Sequence, residues 1–212
     1  MNLEKDCQVF MSSLNKDFTI GKHHLIDDVP FKFTAPDFLY FFSLKDQLWK
    51  NIAEDKRLNI SLAMTELYVS VLLHIYSSDY CFDEEVHHLE NSILYGDLLS
   101  GAFAEKLIDN NEAGLLKEWL DLLQQIHKDL VVQSLENKTI YEKKALLLEH
   151  LVEYLAPQEQ NGDLNVFSKA FLLDGDDKVM THHIMMNLPD SLKVALKAPI
   201  SSSGDFLTFI GE

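Results

Sequence analysis

The segment from Leu58 to Ser77 is apolar on nearly every side when it is drawn as a helix. A helix at the surface of a protein keeps one polar side, so a helix of this composition is expected at the centre of a fold. Its most apolar part, Leu62–Tyr76, carries Glu66 and His74 and is too short to span a bilayer. We therefore expect a core helix and no integral membrane segment.

The remainder of the chain also favours helices. Glycine (8 residues) and proline (5 residues) are scarce among the 212 residues, which argues against a turn-rich β architecture. Apolar residues recur at helical spacing, and we expect an all-α fold, a bundle of seven or eight helices. The predicted helices are Leu3–Phe18, a helix with Pro36 in its first turn that extends to Ile52, Leu58–Ser77, Asp83–Asn110, Leu115–Leu135, and a helix after Thr139 that ends before Pro157.

The chain is predicted to form a single all-helical domain, residues 1–212. The polar sequence QEQNGD indicates a hinge at residues 157–163, followed by a short C-terminal helical subregion. In the first helix, the predicted core face consists of the apolar residues Leu3, Cys7, Phe10, Met11 and Leu14. In the second helix, Lys45, Asp46 and Lys50 are predicted to point away from the core.

The charge pattern restricts the partners of the protein. The formal net charge is -16, which argues against nucleic acid and against anionic membrane surfaces, because both require clustered Lys and Arg. Arg57 is the single arginine beside 17 lysines, and no Lys or Arg occurs from Leu58 through Glu105. Arginine is the preferred side chain for bidentate phosphate binding, so this chain can hardly build an arginine clamp by itself.

Cysteine content and the N-terminal sequence favour a cytoplasmic location. Cys7 and Cys81 form no C-x-x-C pattern, and reduced thiols are the expected state. The first residues, MNLEKDCQVF, lack the basic and apolar regions of a signal peptide.

Gly96 and Asp97 stand side by side in the apolar sequence ILYGDLLSGAF, which also contains Ser100. Glycine weakens a helix interior by about 1 kcal/mol relative to alanine, and a carboxylate on an apolar helix needs a partner. We interpret Gly96 as a position where a neighbouring helix approaches closely, and Asp97 as a polar anchor for a helix terminus or a partner's lysine. The alternative is a partly exposed Asp97 beside a glycine of no importance.

Other candidate chemistry is weaker. Adjacent histidines occur at 23–24, 87–88 and 182–183, but neighbours on a helix point about 100° apart and no H-E-x-x-H motif is present. Surface or core histidines are therefore favoured over a metal site. Asp79 and Asp83 lie four positions apart and would share a helix face, where such pairs can hold Mg²⁺ bound to a diphosphate. Acids that favour a helix N-terminus are an equally good interpretation.

The order of two segments resembles the trans-isoprenyl diphosphate synthases. In that family an apolar helix ends in a D-D-x-x-D motif, and a later helix carries a G-D dipeptide in an apolar frame; here LLHIYSSDYCFDEE precedes ILYGDLLSGAF. The resemblance covers about Leu58–Leu107. Tyr80 stands where the second aspartate would be if Asp79 is the first, the family's paired arginines are missing, and no second D-D-x-x-D follows.

A chain that lacks these motifs resembles heptaprenyl diphosphate synthase component 1, the small subunit of heteromeric long-chain synthases. The closing sequence GDFLTFIGE is also similar to that of component 1. The resemblance implies a truncated isoprenoid synthase fold and a prenyltransferase subunit for menaquinone biosynthesis that is not active alone. It implies a heterodimer with a catalytic large subunit that holds Mg²⁺, and contact with the isoprenoid tail of the product. This chain would contain no cofactor, no metal and no catalytic residue. The resemblance implies structural or interface roles for Gly96, Asp97 and Ser100. It also implies that a degenerate Asp-rich region contains Asp79 and Asp83.

Two alternatives remain open. One is an all-α adaptor or regulatory protein without an enzymatic role, and the other is a metal-dependent hydrolase that uses the histidines and acids. The subunit interpretation also predicts an exposed apolar face, because obligate interfaces are large and hydrophobic.

Overall fold

The computed structural model describes residues 3–27, 29, 33–79, 86–132, 140–155 and 199–200. Most of these residues are helical, which confirms the predicted helical class. The helices are α1 (Leu3–Asp17), α2 (Ala35–Ser43), α3 (Lys45–Leu48), α4 (Glu54–Asp79), α5 (Val86–Asp109), α6 (Ala113–Val132) and α7 (Ile140–Leu155).

The described residues fall into two compact units. The first contains those up to Lys106 together with Pro199–Ile200, and the second contains Leu107–Leu155. The predicted hinge at 157–163 and most of the predicted C-terminal subregion lie outside the described residues.

Four two-residue strands accompany the helices of the first unit, and none was predicted. Strand β1 (Thr19–Ile20) pairs antiparallel with β2 (His23–His24), and Gly21 between them has a φ of 63°. Strand β3 (Phe33–Thr34) pairs antiparallel with β4 (Pro199–Ile200). Strands this short leave no alternating pattern in a sequence.

Helix α4 is the centre of the first unit, as its composition predicts. Every residue from Ile60 to Leu73 is buried, and α1, α2 and α3 all pack against this helix. On the predicted core face of α1, all four side chains that the structure describes are buried too (Cys7, Phe10, Met11 and Leu14), and aromatic rings join this face to its neighbours. The ring centroids of Phe10 and Phe42 are 5.0 Å apart, and those of Phe41 and Tyr68 are 5.9 Å apart.

The second predicted helix is divided in two, because the chain turns at Leu44 between α2 and α3. The prediction that Lys45 faces away from the core is wrong. Lys45 is buried, with its ammonium 5.0 Å from the centroid of the Phe42 ring and 3.2 Å from Asp46 Oδ2. A lysine can bury its aliphatic stem while a π face and a carboxylate neutralise its charged end.

Arg57 holds the connection between α3 and α4. Its Nε donates to the Ile52 carbonyl oxygen and its Nη2 to the Lys50 carbonyl oxygen, each at 2.9 Å. Its Nη1 lies 3.3 Å from Asp46 Oδ1. The guanidinium fork is therefore committed to the polypeptide itself.

Helix α5 ends at Asp109, one residue before the predicted end at Asn110. Asn111 has a φ of 58°, its N–H donates to Ile108, and the N–H of Glu112 donates to Leu107. This pair of bonds is a Schellman motif with asparagine in the left-handed position. In the second unit, α6 and α7 pack together, with Trp119, Leu122, Ile126, Leu147, Leu148 and Leu151 buried.

Residues Glu54–Ile75 of α4 form the one described segment that is long and apolar enough to cross a membrane. Of its most apolar window, 83% is buried inside the protein, as in the core helix of a globular unit.

Candidate functional site

Helices α4 and α5 meet along a seam of small polar residues. Ser70 Oγ donates a hydrogen bond to the Gly96 carbonyl oxygen at 2.8 Å and lies 2.7 Å from Ser100 Oγ. Because serine is small, the backbones of the two helices can lie close together here while the Ser70 hydroxyl still forms hydrogen bonds. Ser100 therefore contacts α4.

Gly96 leaves room for the imidazole of His74. A Cβ built on Gly96 would lie 2.7 Å from His74 Nε2 and 2.9 Å from its Cε1, closer than real Cβ atoms come to other atoms. The glycine thus provides the space that the His74 ring occupies. This close approach is the physical reason for a glycine near the middle of an apolar helix.

Asp97 points the other way. Its side chain is 71% exposed, and its Oδ1 lies 3.6 Å from His74 Nε2. An exposed carboxylate at that distance from an imidazole contributes little to stability. The three interface candidates thus divide: Gly96 and Ser100 pack against α4, whereas Asp97 is mostly exposed and reaches α4 only through His74.

The exposed side of α5 is apolar as well as acidic. Ile93, Leu94 and Leu98 are 42%, 55% and 46% exposed, on the same side of the helix as Asp97. Single exposed leucines are ordinary on a protein surface, but three within two turns of one helix form a patch. We call this surface the α5 outer face; it consists of Glu90, Ile93, Leu94, Asp97, Leu98, Gly101 and Glu105, all exposed.

A buried charged cluster joins α1, α4 and α5 on the opposite side of α5. Lys106 Nζ lies 2.7 Å from Asp17 Oδ2 and 2.7 Å from Glu66 Oε1. Glu66 is completely buried, and Lys106 and Asp17 are mostly buried. The sequence shows Glu66 as an isolated carboxylate in an apolar helix, which signals that a partner exists but does not identify it.

Burial raises the pKa of Glu66 well above its ordinary value, and the neighbouring Asp17 raises it further, while Lys106 lowers it. One lysine shared between two carboxylates leaves a surplus negative charge, which together with burial favours the protonated form of Glu66. Lys106 has a raised pKa because the attraction of Glu66 and Asp17 outweighs its desolvation. The cluster therefore places Lys106 between Asp17 and a buried Glu66 whose raised pKa favours its protonated form.

Of the two aspartates in the degenerate Asp-rich region, one lies among the described residues. Asp79 is the last residue of α4, and nothing is described of its side chain; Asp83 lies outside the described residues. Within the described ranges, no group of three or more His, Cys, Asp or Glu side chains is placed to hold a metal ion. His24 is buried and accepts a 3.3 Å hydrogen bond from Ile26 N–H at Nδ1, and burial lowers its pKa.

We predict that Gly96→Ala stabilises the protein less than a Gly→Ala change in open space, because the new methyl group overlaps the His74 ring and forces that partly exposed side chain to move. Gly101→Ala on the same helix is the matched control. A Cβ there meets nothing within 4 Å, so alanine should stabilise by about 1 kcal/mol through helix propensity. Urea denaturation followed by circular dichroism measures both values. The same change for both variants would contradict the role of His74.

We predict that Glu66→Gln flattens the pH dependence of stability. The native state holds a proton on Glu66 at pH values above 4.5, the ordinary value, where the unfolded chain has released it. Stability therefore falls as pH rises from about 4.5 through the raised pKa, and glutamine removes this contribution. Denaturation midpoints from pH 4.5 to 8 measure the slope, with the exposed Glu90→Gln as control. A slope identical to that of the unmodified protein would show that Glu66 is ionised when folded.

Comparison with protein-family models, with curated protein sequences and with solved structures found no match. The contacts described above are therefore the physical basis on which a function can be assigned.

Proposed function

We propose that this chain is the non-catalytic small subunit of a heteromeric long-chain polyprenyl diphosphate synthase of the heptaprenyl type. It pairs with a catalytic subunit that carries the Asp-rich motifs and Mg²⁺, and the complex makes the menaquinone side chain in the cytoplasm. In this proposal α4 and α5 correspond to the two family helices that carry the first Asp-rich motif and the G-D dipeptide, within a truncated isoprenoid synthase fold.

The observation that carries the proposal is the α5 outer face. Helix α5 contains the G-D dipeptide, and its exposed side presents Ile93, Leu94 and Leu98 around Asp97. Exposed apolar residues clustered on one helix are typical of a surface that another protein covers. Gly96, the other half of the dipeptide, lies on the side of α5 that packs against α4, where its carbonyl oxygen accepts a hydrogen bond from Ser70.

The two cations at either end of the stretch without Lys or Arg, Arg57 and Lys106, support a non-catalytic role. A prenyl diphosphate carries several negative charges and needs cations to bind. Arg57 is committed to two backbone carbonyl oxygens and Asp46, and Lys106 is committed to Asp17 and Glu66. Between them the sequence has no Lys or Arg. Positive charge for ionisation of the substrate would therefore come from the partner and its Mg²⁺.

An adaptor without an enzymatic role would also use an exposed apolar face, so the partner distinguishes the two functions. We predict long-chain product from labelled isopentenyl diphosphate, farnesyl diphosphate and Mg²⁺ only when this chain is mixed with the catalytic subunit from the same genome. Absence of synergy and of co-elution would contradict the proposal and favour the adaptor. Bound transition metal and chelator-sensitive hydrolysis would favour the hydrolase.

In the same mixture, we predict that Leu98→Glu weakens the complex about ten-fold or more. Burying a leucine is worth about 1.5–3 kcal/mol, and each 1.4 kcal/mol is a factor of ten in affinity. Leu120→Glu on α6 is the matched control, because both leucines are 46% exposed. The measurement is product formation as the catalytic subunit is titrated with each variant. Equal losses for both variants would show that α5 is not the interface.

A further inference from the structure

The α5 outer face carries charge of only one sign. Glu90, Asp97 and Glu105 are all exposed on it, spaced by seven and eight residues and therefore on one side of the helix. The apolar residues Ile93, Leu94 and Leu98 lie among these carboxylates. The face is thus an apolar strip flanked by acids along about four turns.

No lysine or arginine from the nearby sequence neutralises these acids. The segment from Leu58 to Glu105 has none, and Lys106 is directed to Asp17 and Glu66 on the opposite side of α5. Among the described ion pairs, one group at this face can carry a positive charge. It is His74, whose Nε2 lies 3.6 Å from Asp97 Oδ1 and whose side chain is partly exposed. The face therefore presents a net negative field to whatever covers it.

This charge pattern discriminates between occupants. Two copies of the chain packed through this face would bring together three carboxylates from each, and like charges across an interface disfavour association. A partner helix with an apolar strip flanked by Lys or Arg would instead pair every carboxylate with a cation while covering the leucines. Gly101 adds space for such an approach, because nothing lies within 4 Å of a Cβ built there.

We propose that the α5 outer face binds a basic amphipathic helix of the partner protein rather than a second copy of this chain. The inference rests on the proposed function only in taking α5 as the partner-facing helix, and it specifies the chemistry of the partner's surface. Charged groups around an interface act chiefly on the association rate and its salt dependence, whereas the apolar centre governs dissociation.

The first test measures association with the catalytic subunit by surface plasmon resonance at 50 and 500 mM NaCl. The double variant Asp97→Asn/Glu105→Gln should lower the association rate constant about five-fold or more at low salt and lose most of the salt dependence. Glu118→Gln/Asp121→Asn on α6 removes the same number and kinds of exposed acids and should leave the rate unchanged. Equal rates for the two variants, with a complex still formed, overturn this inference and leave the proposed function intact.

The second test does not need the catalytic subunit. An 18-residue peptide helix with a leucine strip flanked by lysines should bind the purified chain, and the same strip flanked by glutamates should not. The Asp97→Asn/Glu105→Gln variant should bind the lysine peptide at least five-fold more weakly than the Glu118→Gln/Asp121→Asn control. Equal binding of the peptide by both variants, no binding, or a homodimer in sedimentation that Leu98→Glu dissociates would each overturn the inference.

Discussion

Helix α4 is buried over most of its length, and its polar groups must be satisfied by the protein rather than by water. Unpaired polar groups in such surroundings cost free energy comparable to a lost hydrogen bond or more. Two of them determine how α5 packs. Ser70 donates to the Gly96 carbonyl oxygen, and Glu66 contacts Lys106. Both contacts lie on one side of α5, so they define the inner side of that helix and leave the other side exposed.

The two contacts differ in what they contribute. The Ser70–Gly96–Ser100 seam and the His74 ring beside Gly96 are close contacts, for which small residues at these positions leave room. The Asp17–Lys106–Glu66 cluster is an electrostatic requirement, and it adds α1 to the assembly. Buried ion pairs seldom add net stability over well-packed apolar residues, but they strongly disfavour arrangements in which one partner is missing. The cluster therefore selects one packing of α1, α4 and α5 among those that apolar burial alone would allow.

The sequence predicts the helices well because each extends over several turns and repeats its apolar positions. It predicts α4 as the central helix because that segment has no polar side. It fails at Leu44, where a single turn divides two apolar helices without a proline or glycine, and at Lys45, whose environment depends on Phe42 and Asp46 together. The short strands leave no periodic signal.

Within the candidate site, a glycine inside an apolar helix is enough to predict that a neighbouring helix comes close at Gly96. The neighbouring atoms are those of His74, which only the packing of two helices reveals. The partners of Glu66 could not be predicted, since Asp17 and Lys106 lie far from it in the sequence and neither position has an unusual pattern. The exposed direction of Asp97 follows from the α4 contacts of its neighbours, and the sequence alone left it open.

The central claim is that α5 is held by its inner side and covered by a partner on its outer face. Radical footprinting with mass spectrometry tests this directly on the full chain, alone and with the catalytic subunit. Our account predicts that labelling of Ile93, Leu94 and Leu98 falls on mixing, while labelling of the equally exposed Leu120 and Tyr154 on α6 and α7 does not change. Protection at Leu120 and Tyr154 with unchanged labelling of α5 in a complex that forms would contradict it.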